Sequence, residues 1–178
     1  MEKITRVCLT GPESTGKTEL AEELGKHYGA PVTPEYAREY ALAHGNDLTY
    51  GDVEPIARGE IAALDNVAQA LSARILIEDT DLISTVVYSR YYYDNVPDWI
   101  VVEARSRKAD LYLLMDTDIE WKSDPARDAG GEAREELFDL FRRALDEFEC
   151  RFEIVSGDRQ ERRAAAVNAI NRVLGAES

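Results

Sequence analysis

The sequence contains little cysteine and histidine, and it has no long apolar run. Two cysteines, Cys8 and Cys150, and two histidines, His27 and His44, occur without forming a CxxC pair or a Cys/His cluster. This spacing argues against a metal site built on them and predicts structural thiols in a reducing compartment. No apolar segment approaches membrane-spanning length, and the first apolar segment begins too close to Met1 for a signal peptide. We therefore expect a cytoplasmic protein.

Positive charge is also scarce. The chain has 21 lysines and arginines against 35 aspartates and glutamates, a formal net charge of −14 at pH 7. A nucleic-acid backbone requires a positively charged surface, so we expect neither nucleic acid nor a membrane as a partner. A small phosphorylated ligand needs only a few local cations. The oligomeric state stays open at this point, with a homo-oligomer among the alternatives.

The rest of the composition is that of a globular domain. The chain is 44% hydrophobic and 31% charged, with only 6 prolines and 11 glycines, which excludes disordered and fibrous proteins. Its length suits one hydrophobic core, and no internal repeat or linker divides it. We predict a single domain over residues 1–178.

The most specific motif lies near the N-terminus. Residues 11–18 read GPESTGKT, which satisfies the P-loop pattern of a glycine, any four residues and then Gly-Lys-Ser/Thr. A short β-favouring run, Val7 to Thr10, precedes the motif, and a helix-forming segment follows it from Thr18. This strand, loop and helix order is the context that a P-loop requires.

Each part of this motif has a chemical reason. Gly11 and Gly16 let the backbone turn close to a phosphate, where N–H groups at the start of a helix surround it. Lys17 supplies positive charge to the β- and γ-phosphates, and Thr18 offers a hydroxyl to Mg²⁺. The sequence therefore predicts binding of ATP and Mg²⁺. The nucleotide-binding candidates in this motif are Gly11, Glu13, Ser14, Thr15, Gly16, Lys17 and Thr18.

A second motif, EYAREY at residues 35–40, follows a short predicted strand at Val32 and Thr33. Ligands of parallel α/β sheets bind beyond the carboxyl ends of the strands, so residues at this point are expected to face a bound molecule. A surface ion pair between Glu35 and Arg38 is the alternative, since residues three apart share a helical face. The substrate-binding candidates here are Glu35, Tyr36, Arg38 and Tyr40.

Another apolar strand ends in carboxylates at residues 78–81, Glu-Asp-Thr-Asp. This is the arrangement of a Walker B strand, whose terminal Asp approaches the Mg²⁺ held by the P-loop. We predict Asp79 as the metal-side carboxylate or general base. Asp81 and Glu35 are the alternatives for the base or for holding the ribose hydroxyls. A long helix is predicted before this strand, over residues 52–72, with Glu60 among its solvated side chains.

Residues 119–131 form a polar, turn-rich segment that we predict to be a lid. Such segments close over phosphates in small-molecule kinases and contribute arginine charge. Arg127 is the first candidate for this role and Arg134 the second, while an acidic surface loop with a structural arginine is the alternative. A later turn, with Gly157 and Arg162, is a candidate contact for the adenine of ATP.

The order of strands and helices predicts an α/β fold. We expect the three-layer sandwich of P-loop NTPases, with a parallel sheet of about five strands, helices on both faces and a short lid.

With these motifs assembled, the chain resembles the ribosylnicotinamide kinase domain of NadR-type proteins and their stand-alone relatives. The resemblance covers essentially the whole chain. The matching segments are GPESTGKT at 11–18, EYAREY at 35–40, DTD at 79–81, the set Trp121, Asp124 and Arg127, and GDRxxR at 157–162. The resemblance implies that the chain phosphorylates the ribose 5′-hydroxyl of nicotinamide riboside with ATP and Mg²⁺, giving nicotinamide mononucleotide in NAD biosynthesis. It implies catalytic roles for Lys17, Asp79, Glu35 and Arg127.

Two features depart from this family. No DNA-binding or adenylyltransferase segment precedes the first strand. Pro34 stands before Glu35, where an aromatic residue is expected to contact the nicotinamide ring. Tyr36, Tyr40 or the run Tyr91 to Tyr93 are alternatives for a stacking face. A kinase of another nucleoside or sugar-like alcohol, or a regulatory P-loop ATPase switch, also fits the sequence, because P-loop domains serve both purposes.

Overall fold

A computed structural model describes residues 4–69, 73–120 and 130–176. Strands and helices follow one another along these residues in the predicted order, with two consecutive helices after the second strand and two after the third. The strands are β1 Thr5–Thr10, β2 Val32–Thr33, β3 Ile75–Asp79, β4 Leu111–Met115 and β5 Phe152–Val155. The helices are α1 Lys17–Tyr28, α2 Tyr36–His44, α3 Tyr50–Gln69, α4 Leu82–Tyr93, α5 Asp98–Ser106, α6 Gly130–Glu147 and α7 Arg159–Ala176.

The five strands form one sheet in the order β2-β3-β1-β4-β5, and every pair is parallel. β1 lies in the centre, where Leu9 pairs with Asp79 of β3 on one side and with Leu113 of β4 on the other. Because the strands are parallel, their carboxyl ends meet at one edge of the sheet, and the loops that follow them lie side by side. The predicted fold class is confirmed.

Helices cover both faces of the sheet, as predicted, because the strands are apolar on both sides. Along β1, Val7 and Leu9 point to the face covered by α1 and α7, while Cys8 points to the face that contacts α3 to α6. Burial raises the pKa of the Cys8 thiol well above its usual range. Cys8 and Cys150 are both free, which agrees with the expectation of structural thiols.

Among the described residues, no helix is both long and apolar enough to cross a membrane.

Candidate active site

The P-loop connects the centre of the sheet to the start of α1. Gly11 has a φ of +126°, and a Cβ there would lie 3.0 Å from the carbonyl oxygen of Met115, so the chain passes too close to β4 for a side chain. Gly16, with a φ of 80°, is the residue before α1. Thr15 Oγ1 donates to the carbonyl of Pro12 at 2.8 Å, which closes the loop on itself. The result is the curved backbone that the GPESTGKT motif predicts.

The two side chains after the loop have different environments. Lys17 is buried, with 5% of its surface exposed, and its ammonium donates to the carbonyl of Pro12 inside the curve of the loop. Thr18 Oγ1 donates to Asp79 Oδ2 at 2.6 Å, which joins the start of α1 to the end of β3. The structure thus brings together the P-loop hydroxyl and the carboxylate predicted for the metal side.

Glu35 and Arg38 face the P-loop from the neighbouring strand connection. Glu35 immediately precedes α2, and its carbonyl accepts from the N–H of Arg38 at 3.1 Å. Both residues line a cleft of about 190 Å³. Its other lining residues are Glu13, Ser14, Thr15, Gly16, Lys17, Thr18 and Glu19. We refer to this as the phosphate cleft.

A second, larger cavity of about 520 Å³ lies next to the cleft, between α2, α3 and α4. Its size is that of an ordinary small-molecule site. Four carboxylates, three tyrosines and several hydroxyl groups line it, and the described lining residues include no lysine, arginine or histidine. The carboxylates and tyrosines are Glu35, Asp47, Asp52, Glu60, Tyr88, Tyr92 and Tyr93. Glu35 lines both the cavity and the phosphate cleft.

A hydrogen-bonded loop forms one rim of this cavity. Asp52 accepts from the N–H of Thr49 at 2.8 Å and from the hydroxyl of Tyr40 at 2.9 Å. These bonds, the backbone one foremost, lower the pKa of Asp52 and keep its carboxylate ionised. Tyr93 donates to the carbonyl of Leu48, the residue before Thr49, at 2.8 Å. The rim is therefore held where the loop enters α3, and it carries a negative charge.

The family model described as "AAA domain" matches residues 6–162, which is most of the chain. This chain belongs to the AAA domain family. The matched residues include the P-loop and α1.

Three relatives of this AAA domain are informative. The trifunctional NAD biosynthesis/regulator protein NadR of Escherichia coli (strain K12) is 25% identical over 178 residues, covering 97% of this chain and 43% of the relative. A crystal structure of NadR protein in complex with NR has a TM-score of 0.81 and 25% identity, covering 95% of this chain and 50% of that one. A crystal structure of NadR protein in complex with NAD and AMP-PNP has a TM-score of 0.75 and 26% identity, covering 97% and 50%. The chain thus spans half the length of these relatives or less, and the resemblance to NadR-type proteins is confirmed.

Several residues that were predicted to bind the substrate of this AAA domain do not line the larger cavity. Asp81 accepts from the hydroxyl of Tyr112 at 2.6 Å and from the N–H of Ile83 at 3.0 Å, so it caps α4 instead of lining the cavity. Burial raises the pKa of Asp81, and the hydrogen bonds oppose that shift. Asp81 is not among the residues that line the phosphate cleft or the larger cavity.

The two tyrosines of the EYAREY motif lie behind the cavity wall. A Cβ on Gly59 of α3 would meet the ring of Tyr36 at 1.9 Å, which shows how closely this ring packs on α3. Tyr40 stacks on His44 with ring centroids 4.0 Å apart and supports Asp52 through its hydroxyl. Neither ring is among the residues that line the cavity. The tyrosines that line the cavity are Tyr88, Tyr92 and Tyr93 of α4, while Tyr91 is partly buried against the core.

The residues of the later segments that were predicted to contact the nucleotide are hydrogen-bonded to other protein groups. Arg134 is 4% exposed and donates to the carbonyls of Thr117 at 2.6 Å and Ile119 at 2.8 Å. Gly157 donates its N–H to Asp118 Oδ2 at 2.6 Å. Arg162 lines a recess of about 90 Å³ beside the P-loop, although its guanidinium is bonded to protein acceptors. Arg127 lies outside the described residues.

Sequence reasoning missed much of the cavity wall. Glu60 was expected in solvent, but it lines the cavity and accepts from the hydroxyl of Thr85 at 2.6 Å. Tyr88 donates to Glu13 at 3.3 Å and links the cavity to the P-loop. The polar residues of α4 were a usable signal, because a helix that is buried on most sides has no reason to carry Ser84, Thr85 and Ser89 unless they face a polar site.

Proposed function

We propose that this chain transfers the γ-phosphoryl group of ATP to the ribose 5′-hydroxyl of nicotinamide riboside, giving nicotinamide mononucleotide and ADP. The observation that carries the proposal is the position of Glu35, which lines both the phosphate cleft and the 520 Å³ cavity. A nucleoside in the cavity would bring a hydroxyl to the same point as a phosphate in the cleft. The NadR protein solved with NR and with AMP-PNP supports this pairing of ligands.

The phosphate cleft supplies positive charge and N–H donors. The backbone from Glu13 to Gly16 curves around the cleft, and Lys17 and Arg38 are the cations that line it. Phosphoryl transfer depends on positioning and charge stabilisation more than on covalent chemistry, so these groups carry most of the catalytic effect. The lid role of Arg127 stays a prediction.

The residues at the start of α1 and the end of β3 suit Mg²⁺. The hydroxyl of Thr18 and the carboxylate of Asp79 are 2.6 Å apart, and both are oxygen donors of the kind that Mg²⁺ prefers. These two residues would hold the ion, which supplies charge neutralisation to the phosphates when bound.

Glu35 is the carboxylate best placed to act on the acceptor. Its pre-helical position keeps its backbone fixed by α2, while its side chain, 8% exposed, faces the junction of cleft and cavity. In the reaction the 5′-oxygen forms a bond to the γ-phosphorus, the bond from that phosphorus to the β,γ-bridging oxygen breaks, and the hydroxyl proton passes to Glu35. Asp79 is the alternative proton acceptor, but its bond to Thr18 assigns it better to the metal.

A coupled ADP-release assay with MgATP tests this proposal. The acceptors are nicotinamide riboside, nicotinic acid riboside, adenosine, uridine and thymidine, and the product mass is measured in each case. We expect nicotinamide riboside to give the highest kcat/KM. If another nucleoside gives a higher value the acceptor is wrong, and if no acceptor accelerates ADP release the kinase function is wrong.

A matched pair of variants tests the role of Glu35. Glu35→Gln keeps the size and hydrogen-bonding capacity of the side chain but removes the base, and we expect kcat to fall about 100-fold or more. Glu39→Gln, on the exposed side of the same helix, is expected to keep kcat within about twofold because surface changes of this kind are nearly neutral. Equal rates in the two variants would show that Glu35 is not the base.

A further inference from the structure

Arg162 of α7 is buried beside the P-loop. Only 5% of it is exposed, and its guanidinium donates to acceptors on three separate segments. The acceptors are the carbonyls of Thr15 at 2.9 Å, Gly157 at 2.8 Å and Asp116 at 3.1 Å, and the carboxylate of Asp118. We call this set the arginine latch. A planar guanidinium with five N–H donors can hold several acceptors at once, which an ammonium cannot do from one position.

The bond to Thr15 bears directly on the phosphate cleft. The peptide bond between Thr15 and Gly16 is planar and trans, so its carbonyl and its N–H point in opposite directions. Arg162 holds the carbonyl towards α7. The Gly16 N–H is thereby directed to the opposite side, where Gly16 lines the phosphate cleft together with Lys17 and Thr18. Backbone N–H groups of this kind form the anion-binding surface of a P-loop.

Through Arg162, the Thr15–Gly16 peptide is also connected to the segment after β4. Asp116 and Asp118 belong to the segment that follows β4, and Arg134 of α6 holds the alternate carbonyls of the same segment, at Thr117 and Ile119. Two buried arginines from two helices therefore fix residues 116–119, and one of them also holds the P-loop. The P-loop carbonyl is braced against a rigid part of the molecule.

We propose that Arg162 is a positioning residue for nucleotide binding, which orients the P-loop backbone through the Thr15 carbonyl and does not touch the nucleotide itself. This inference rests on the proposed function in so far as the P-loop ligand is ATP. It predicts that loss of the latch weakens binding of the phosphates and leaves the nucleoside cavity unaffected, because no latch residue lines that cavity.

The test compares Arg162→Lys and Arg162→Met with Arg163→Met, an exposed control one residue along the same helix. ADP affinity is measured directly by titration with a fluorescent ADP analogue and competition with ADP, well below the melting temperature of each variant. We expect both Arg162 variants to raise the Kd for ADP about tenfold, the effect of losing one charged hydrogen bond, and Arg163→Met to leave it unchanged. The KM for ATP should rise in parallel, while the KM for nicotinamide riboside stays within about twofold.

A purely structural role for Arg162 gives a different result. In that case the folded variants would melt at lower temperature but bind ADP as the unchanged protein does, and the inference would be wrong. If neither Arg162 variant folds, Asp118→Ala decides, because it removes the carboxylate that accepts from Arg162 in the latch; an unchanged Kd for ADP would overturn the inference. If the wild-type protein binds ADP but phosphorylates no acceptor, the proposed function is wrong. The inference about the latch is not affected by that result, because the latch effect is measured by ADP binding.

Discussion

Asp79 is the buried carboxylate at the end of β3, with 2% of its surface exposed and a hydrogen bond from Thr18. Asp79→Asn keeps an oxygen for Thr18 but removes the negative charge on the metal side. We predict that kcat falls about 100-fold or more, as expected when a preorganised charge is lost from a phosphoryl-transfer site. The measurement is the coupled ADP-release assay at saturating nicotinamide riboside, with thermal melting to check the fold.

Asp110→Asn is the matched control for that variant. Asp110 lies before β4 at the opposite edge of the sheet, where its carboxylate accepts from the N–H of Arg6 at 2.9 Å. Its substitution should alter stability more than kcat. If Asp79→Asn and Asp110→Asn retain similar turnover, the metal-side role of Asp79 is wrong.

Glu78, the residue before Asp79 on β3, is expected to affect the stability of the fold and not the turnover. It is 1% exposed and forms a two-pronged ion pair with Arg6, whose Nη2 lies 2.9 Å from Glu78 Oε2. Burial raises the pKa of Glu78 from 4.5 to about 7, against the opposing effect of Arg6. The folded protein therefore holds a proton that the unfolded chain has released, and the stability this group confers below pH 4.5 is lost as the pH rises through about 7.

The prediction concerns the pH dependence of the free energy of unfolding. Between pH 4.5 and about 7, the unchanged protein should lose stability relative to Glu78→Gln, because glutamine does not titrate. The slope of the difference is at most about 1.4 kcal/mol per pH unit for one proton. Urea unfolding at several pH values measures both curves. Parallel curves across this window would show that the pKa of Glu78 is not raised.

At the scale of single residues, the sequence predicted that Thr18 of the P-loop and Asp79 of β3 meet, but not all that surrounds them. Lys17, Thr18 and Asp79 lie together because a P-loop and its neighbouring strand end impose that geometry. Asp81 does not join them, since Thr80 has a φ of 69° and breaks the alternation that would have kept Asp79 and Asp81 on one side. A β-branched residue in this conformation is strained, and no local pattern announces it.

At the scale of helices, the ring of Tyr36 makes a close contact that helps to hold α2 against α3. The ring of Tyr36 occupies the space where a side chain on Gly59 would begin, with Cε1 1.9 Å from the ideal Cβ position. Alanine for glycine in a helix interior usually adds up to about 1 kcal/mol of stability. Here we predict the opposite sign, a loss of about 1–3 kcal/mol, because the added methyl forces α2 away from α3.

The same substitution should affect the site, since α2 carries Arg38 and begins directly after Glu35. We expect Gly59→Ala to raise the KM for nicotinamide riboside, and Gly175→Ala, where a Cβ meets nothing within 4 Å, to be neutral or stabilising. Urea unfolding of Gly59→Ala in a Tyr36→Ala background isolates the contact, because the methyl group should then cost nothing. A Gly59→Ala protein as stable as Gly175→Ala would contradict the argument.

Helix and strand positions followed closely from the sequence, whereas their arrangement did not. The helix predicted over residues 52–72 is α3, Tyr50–Gln69 among the described residues, since its apolar spacing and the flanking loops are local signals. The strand order β2-β3-β1-β4-β5 depends on pairings such as Leu9 with both Asp79 and Leu113, which no local pattern specifies. For the same reason Glu60 was placed in solvent: its neighbour Thr85 is brought to it only by the packing of α3 on α4.

At the scale of the whole molecule, charge acts differently on the two proposed substrates. The chain carries a net charge of −14, and four carboxylates line the nucleoside cavity. Nicotinamide riboside is a cation because its pyridine nitrogen is glycosylated, whereas MgATP is an anion. The field of the protein therefore attracts the first substrate and repels the second, except within the phosphate cleft.

Salt should consequently shift the two Michaelis constants in opposite directions. As KCl is raised from about 20 mM to about 300 mM, screening shortens the reach of surface charges from roughly 20 Å to under 10 Å. We predict that the KM for nicotinamide riboside rises while the KM for MgATP falls.

Nicotinic acid riboside, whose added carboxylate cancels the ring charge, should show a lower kcat/KM and a weaker salt dependence of its KM. Steady-state kinetics at constant free Mg²⁺ provides the measurement, and Asp47→Asn, which removes one cavity carboxylate, should reduce the salt response of the nucleoside alone. If both Michaelis constants moved in the same direction, the cavity would not be selecting its substrate by charge.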